Sequence, residues 1–317
     1  MSHLLILSGN ESKELSQSVC GMMNAKHLTS AHVGRFNDGE VSVQIKENVR
    51  GADVFIINSI TPPAENILET IFLGNAARYS SADRVTLVIP YLGYNRQERK
   101  DRPRVPIAAK VIIDMLKLSR ADRALLVDLH SEATAAHFEP MVTDHLYGSY
   151  SVVDYLKQML PNPFVVAAPD AGAVVRARKY AQYLGLADVV VVNKERAGAG
   201  KIKQDKVKII GNVRGKNVLL VDDMIDSGGT LIADAKALKE KGAKNIYAFA
   251  THALFSKGMT VFPKGLFTEI VVTDSVHHEP GFANGNTKVT VRSIAPLLAK
   301  AIENIHNGDS LSSLILG

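Results

Sequence analysis

The chain has 317 residues, of which 46% are hydrophobic and 22% charged, with a formal net charge of +5 and one cysteine. That length suits two domains at about 150 residues each, and the composition excludes a disordered, collagenous or disulfide-stapled protein. The basic residues are scattered among acidic ones, with no helix-turn-helix or aromatic stacking signature, so no nucleic-acid partner is expected.

Met1 to Asn10 lacks the basic flank and apolar length of a secretion signal and reads as a first strand at Leu4–Leu7. Cys20 lies in a helical pattern and leaves no internal disulfide, which fits a reducing cytoplasmic setting. Arg35-Phe36-Asn37-Asp38-Gly39-Glu40 has the look of a hairpin turn that offers an aromatic face and carboxylates. Buried strands are read at Val54–Ile57, Val85–Ile89 and Leu125–Val127, with helical spacing at Ile67-Ile71-Gly74-Ala77 and Ile112-Met115-Leu116 between them. Pro90 through Arg102 leaves the second of these strands carrying Arg96, Gln97 and Arg99. Arginine supplies forked donors for phosphate, and glutamine can read a base edge. Asp128-Leu129-His130 closes the third strand, where imidazole can coordinate a metal or pair with a phosphate.

Further strands are expected at Val165–Ala167, Val189–Val192, Val218–Val221, Ile246–Ala250 and Ile270–Val272. Pro169-Asp170 follows the first of these, where Asp170 reads equally as a helix cap or as a metal or hydroxyl ligand. Asn193 to Lys201 is rich in Gly and Lys and reads as a mobile basic loop able to close over a polyphosphate. The most informative stretch follows Val221: Asp222-Asp223-Met224-Ile225-Asp226-Ser227-Gly228-Gly229-Thr230. Ligands of open α/β sheets bind beyond the carboxyl ends of strands, and small residues at a helix start expose N–H groups to an anion. Carboxylates that accept from hydroxyls beside such a cradle suit a sugar phosphate. No run approaches the length of a membrane span, and neither a Walker loop nor a Gly-x-Gly-x-x-Gly fingerprint occurs.

The alternation of strand and helix predicts an α/β protein with mainly parallel sheets flanked by helices. A weak duplication is also visible. Arg50 to Ile57 echoes Arg214 to Val221, and Ala82 to Thr86 echoes Ala243 to Tyr247, at nearly equal offsets. Two copies of one unit are therefore expected, residues 1–147 and 148–317, with the helical pattern Ile294 to Ile305 packing back on the first. Where the second copy has its carboxylate loop, the first has Ser59-Ile60-Thr61-Pro62-Pro63, so its sugar-phosphate site is read as lost.

Asp-Asp-x-x-Asp-Ser-Gly-Gly-Thr after an apolar strand resembles the phosphoribosyl-diphosphate loop of phosphoribosyltransferases. Taken with Gly34–Glu40, Gln44–Gly51, Ile89 through Lys110, Asp128–His130, Pro169-Asp170 and Ile305–Asn307, the likeness runs nearly end to end with the ribose-phosphate diphosphokinase family. The resemblance implies two tandem phosphoribosyltransferase-like domains, the first on the ATP side. It also implies transfer of the β,γ-diphosphoryl group of ATP to the 1-hydroxyl of ribose 5-phosphate, for nucleotide biosynthesis. On matching positions, Asp222 and Asp223 would hold the ribose hydroxyls, and Asp226, Ser227, Gly228, Gly229 and Thr230 the 5-phosphate. His130 and Asp170 would bind Mg2+, with His130 also near the ATP phosphates, and Arg96, Gln97 and Arg99 would contact ATP. Phe36, Asp38 and Glu40 would take the adenine of a neighbouring subunit in a homo-oligomer, a hexamer in the family. Lys194 and Arg196 match the catalytic loop.

The chain departs from the family at Ser131–Phe138, where Gln-Ile-Gln-Gly-Phe-Phe is common and takes part in allosteric phosphate and ADP binding. It departs again at Glu195-Ala197 in the catalytic loop. Two other readings compete: a non-catalytic regulatory paralogue, which should have eroded His130, Asp222 or Lys194, and a phosphoribosyltransferase, which has no need of Arg96–Arg99.

Overall fold

A computed structural model describes residues 3–23, 28–196 and 202–315, without the side chains of 194–196, 202–206 and 315. The chain begins with β1 (Leu4–Ser8) and α1 (Lys13–Met22), then an antiparallel hairpin of β2 (Ala31–Arg35) and β3 (Val41–Ile45). β4 (Asp53–Ile57), α2 (Glu65–Tyr79), β5 (Arg84–Ile89), α3 (Ala108–Lys117), β6 (Arg123–Val127) and β7 (Val142–Leu146) follow. The strands form one parallel sheet in the order β1-β4-β5-β6-β7. All five residues of β4 are buried, as a strand covered on both faces requires.

The next elements are α4 (Ser149–Met159), β8 (Phe164–Ala168), α5 (Val174–Tyr183), β9 (Val189–Arg196), β10 (Ile202–Ile210), β11 (Asn217–Ile225), α6 (Gly229–Glu240), β12 (Asn245–Ala253), β13 (Glu269–Thr273) and β14 (Val289–Arg292). Here the sheet order is β10-β9-β8-β11-β12-β13-β14, antiparallel only between β10 and β9. The chain closes with α7 (Ala295–Asn307) and α8 (Ser312–Ile315).

Two compact units result. One holds Met1–Tyr150, Ser275–His277 and Ser293–Gly317, and the other holds Ser151–Asp274 and His278–Arg292. In the first unit, α7 and α8 bury Leu297, Leu298, Ile302 and Leu314 against Val19, Phe55 and Val127. A polar latch seals this packing: Asp53, only 1% exposed, takes a forked pair of bonds from Arg84, and His306 Nδ1 lies 2.8 Å from Asp53 Oδ2. Arg84 also donates to the carbonyl of Ile305, 2.8 Å away.

The register bears on the duplication. Asp53 pairs with Arg84 across β4 and β5, and Asn217 with Asn245 across β11 and β12, the positions that the sequence echo aligned. The apolar runs read as strands all are strands, but several extend further than expected, and β7 and β14 match no expected strand. β9 continues past Val192 to Arg196, and β10 was not anticipated at all: Lys194 and Arg196 belong to a strand, not to a loop, because β10 gives the backbone an antiparallel partner. The expected mobility of Asn193–Lys201 lies, for 197–201, outside the described residues. β11 likewise runs on through Asp222 to Ile225, because β12 is equally long and pairs Met224 with His252 and Ile225 with Ala253.

Candidate active site

Asp222 and Asp223 thus sit on the last residues of a central strand, where the rigidity of the sheet fixes them. One Arg176 nitrogen, from α5, lies 3.4 Å from Asp222 Oδ1 and 3.3 Å from Asp223 Oδ1. Asp222 Oδ1 also accepts the Asp223 N–H. Burial, and next the adjacent Asp223 charge, hold the Asp222 carboxyl well above its ordinary range, while Arg176 pulls it down. Solvent tempers that shift, since 32% of the Asp222 side chain is open. Two like charges held this close favour whatever donates to them: hydroxyls or a cation. Arg176 was not singled out as a site residue from sequence. Its signal was its place on the helix that follows Asp170.

The loop to α6 turns at Gly228, whose φ of +75° strains any side chain. A Cβ there would also meet the ring of Phe262 at 2.7 Å, so position 228 needs glycine twice over. Gly228 is itself the helix cap and makes no side-chain bond, and the helix ladder starts with Ile232 N–H to Gly228 O. The N–H groups of Gly229, Thr230 and Leu231 precede that first bond, at the positive end of the helix dipole. Asp226 Oδ1 accepts from Ser256 Oγ at 2.5 Å, which ties the loop to the residues beyond β12. Gly229 and Thr230 are exposed. Carboxylates and uncapped amides therefore lie within nine consecutive residues, as a pentose with a phosphate arm requires.

Asp170 follows β8 in the same unit and accepts the Ala173 N–H at 3.0 Å through Oδ1. Ala173 is the residue that caps α5, so this bond braces the turn before the helix and is not a side-chain cap. One oxygen is engaged this way, and a second oxygen is part of the same carboxylate.

In the first unit, Arg96, Gln97 and Arg99 are exposed on the segment leaving β5. Gln97 N–H donates to Tyr94 O, and its carbonyl accepts from Ala109, which anchors the segment to the start of α3. Gly93 allows the chain to pass here: a Cβ would lie 2.0 Å from the carbonyl oxygen of Ile60. Phe36, Asp38 and Glu40 come together at the β2–β3 tip. Phe36 is 60% exposed there, and Phe36 N–H reaches Glu40 O at 2.9 Å. Asp38 Oδ1 accepts the Glu40 N–H, and Arg35 ties the tip to Glu65 of α2. His130 is exposed just past β6, after Asp128, whose φ of +40° costs on the order of 1 kcal/mol outside glycine. The side chains of Lys194 and Arg196 lie outside the described residues. Among those described, no group of three or more His, Cys, Asp or Glu side chains could hold a metal on its own.

Residues 4–119 match the N-terminal domain of ribose phosphate pyrophosphokinase, and residues 197–316 match the phosphoribosyl synthetase-associated domain. A ribose-phosphate pyrophosphokinase of Chlorobaculum tepidum is 42% identical over 98% of this chain and 94% of its own length. The chain belongs to the ribose-phosphate pyrophosphokinase family. A second relative, from Pasteurella multocida, is 44% identical across 99% of both chains. The crystal structure of phosphoribosylpyrophosphate synthetase from Mycobacterium smegmatis superposes with a TM-score of 0.88 at 31% identity. It spans 97% of this chain and 100% of its own. Membership in the pyrophosphokinase family also accounts for what a lone phosphoribosyltransferase unit would lack: the Arg96–Arg99 segment and the hairpin bearing Phe36. No helix among the described residues is long and apolar enough to cross a membrane.

Proposed function

We infer that this chain catalyses the reaction of its family, in which the 1-hydroxyl oxygen of ribose 5-phosphate attacks the β-phosphorus of ATP. The bond from that phosphorus to the α,β-bridging oxygen breaks, AMP leaves with the electron pair, and 5-phosphoribosyl 1-diphosphate remains. The observation that carries this reading is the nine-residue loop at the end of β11, joined in one chain to an arginine-bearing segment that single-unit phosphoribosyltransferases do not need.

Asp222 and Asp223 accept from the ribose hydroxyls, which offsets the burial and the neighbouring charge that now raise the Asp222 carboxyl. Ser227 to Thr230, with Asp226 holding the turn, take the 5-phosphate on N–H groups and hydroxyls. Arg96, Gln97 and Arg99 bind ATP, and Phe36 stacks on adenine while Asp38 and Glu40 accept from its amino group. By family resemblance that hairpin serves a neighbouring copy, which makes the working enzyme a homo-oligomer. Lys194 and Arg196, on the β9–β10 hairpin, neutralise charge on the transferring phosphates, as phosphoryl transfer demands little else beyond alignment.

A divalent ion fits the donors present. Magnesium binds through one or two carboxylates plus substrate phosphates and keeps several waters, so it needs no all-protein cage; Asp170 would offer it a carboxylate in one unit, and His130 an imidazole in the other. When bound, Mg2+ would shield the polyphosphate charge. The buried free Cys20 fits a reducing, cytoplasmic location.

The test is AMP release from ATP by the full chain. It should require both ribose 5-phosphate and Mg2+ and should yield equal amounts of the diphosphate ester. Folded protein that makes no AMP under those conditions, or makes it without the pentose, would overturn the proposal.

A further inference from the structure

The turn that presents His130 does not hold its shape by itself. Asp128 leaves β6 with φ at +40°, a conformation from which an L-residue relaxes unless neighbours prevent it. Three bonds to this turn come from β7 and the two residues after it. Asp128 N–H donates to Leu146 O at 3.0 Å, and Gly148 N–H donates to Asp128 Oδ2 at 2.8 Å. Backbone at the end of β7 makes both bonds, whatever its side chains. The third bond is different: Leu129 N–H donates to Nε2 of His145 at 2.9 Å, and only a side chain with an acceptor at that reach can receive it. Receiving a proton donor at Nε2 places the ring proton on Nδ1. The ring is fixed in turn by Tyr147, whose centroid lies 4.7 Å away and whose hydroxyl donates to Glu132 at 2.7 Å, two residues beyond His130.

We propose that His145 is a positioning residue for His130. By holding the Leu129 amide it fixes the plane of the peptide just before His130, and so the direction in which that imidazole leaves the turn. The effect runs through the Leu129 amide. Removing its acceptor leaves the Leu129 N–H without this partner, lets Asp128 move toward an ordinary φ, and swings His130 out of line. The inference rests on the role given to His130 above and extends it to a residue outside the loops that carry the substrate-binding groups.

Two substitutions at position 145 in the full chain separate positioning from packing. His145→Phe keeps a ring beside Tyr147 but offers no acceptor, whereas His145→Gln offers an amide oxygen at about the reach of Nε2. Expected for His145→Phe is a fall in kcat of about 10- to 100-fold, the scale of a small misplacement of a reacting group. KM for ribose 5-phosphate should stay within about twofold, because its loop belongs to the other unit. His145→Gln should recover most of the rate. In the presence of His130→Ala, His145→Phe should have no further effect. A wild-type kcat in His145→Phe, or an equal loss in His145→Gln, sinks the proposal. If His130→Ala itself keeps the wild-type rate, the role of His130 is what fails, and His145 has nothing to position.

Discussion

The two units share a strand order and diverge at a hairpin and at a loop. β1-β4-β5-β6-β7 in the first matches β8-β11-β12-β13-β14 in the second, and each has an antiparallel hairpin between its first two core strands, a separate two-stranded sheet in the first and an extension of the main sheet in the second. After β4, however, the chain fills its own crevice. Asn58 donates to Asn66 O and Thr70, Ser59 donates to Ser275 O, Asn66 returns two bonds to Thr61, and Ile60 is fully buried. After β11 the same position holds Asp222 and Asp223, whose carboxylates share one arginine. One unit has turned its crevice into core, and the other keeps two adjacent carboxylates there, bridged by Arg176. A site of this kind costs stability, because closely spaced like charges and uncapped amides are features that folding otherwise removes.

The largest effect should come from the hairpins, which differ in what they carry: Phe36, Asp38 and Glu40 on one, Lys194 and Arg196 on the other. Lys194→Ala should lower kcat about 100- to 1,000-fold while the KM for ribose 5-phosphate hardly moves, since its charge is used in the transition state. Steady-state kinetics reporting an unchanged kcat would remove Lys194 from catalysis. Next, Ile60→Ala should destabilise the first unit by about 2–5 kcal/mol in urea unfolding, through lost burial and the cavity left behind. The same variant should bind ribose 5-phosphate normally. Weaker binding would mean that the filled crevice still serves the substrate.

Gly228→Ala carries a smaller penalty, about 1–3 kcal/mol, from the positive φ and the Phe262 ring, and should also weaken ribose 5-phosphate binding in calorimetry. Finally, Asp222→Asn should raise the melting temperature of the ligand-free protein and weaken ribose 5-phosphate about 10-fold or more, through loss of charged acceptors. The sign follows from the raised carboxyl. A group whose folded pKa lies above its unfolded one favours the fold when protonated and loses that contribution as pH rises through the folded pKa. The stabilisation by Asn should therefore be absent at pH values below the ordinary aspartate range, grow across the raised range, and level off above it. Melting curves that show the gap widening toward acid would refute the account of Asp222.

Much of this was legible in the chain because the signals were local. A buried parallel strand is a short apolar run, and all nine such runs are strands. The Asp222–Thr230 loop could be read because its chemistry is contiguous. Arg176 was harder to place, because its function depends on α5 lying beside β11. β10 escaped because Ile202–Ile210 carries Lys, Gln and Asp, and an edge strand with a partner on one side needs no apolar run. His145 gave no signal either. It reads as one polar residue in a short half-buried strand, and its value lies wholly in which amide it meets.

By itself the sequence determined the buried core strands, the duplicated unit and the family, since each is encoded in side-chain type and order over a few residues. Tertiary structure decided what fills the lost crevice, that an arginine bridges the acidic pair, and that a histidine on β7 holds the turn before His130. Those outcomes depend on distances between segments far apart in the chain, and local preference carries no term for a contact that only folding creates.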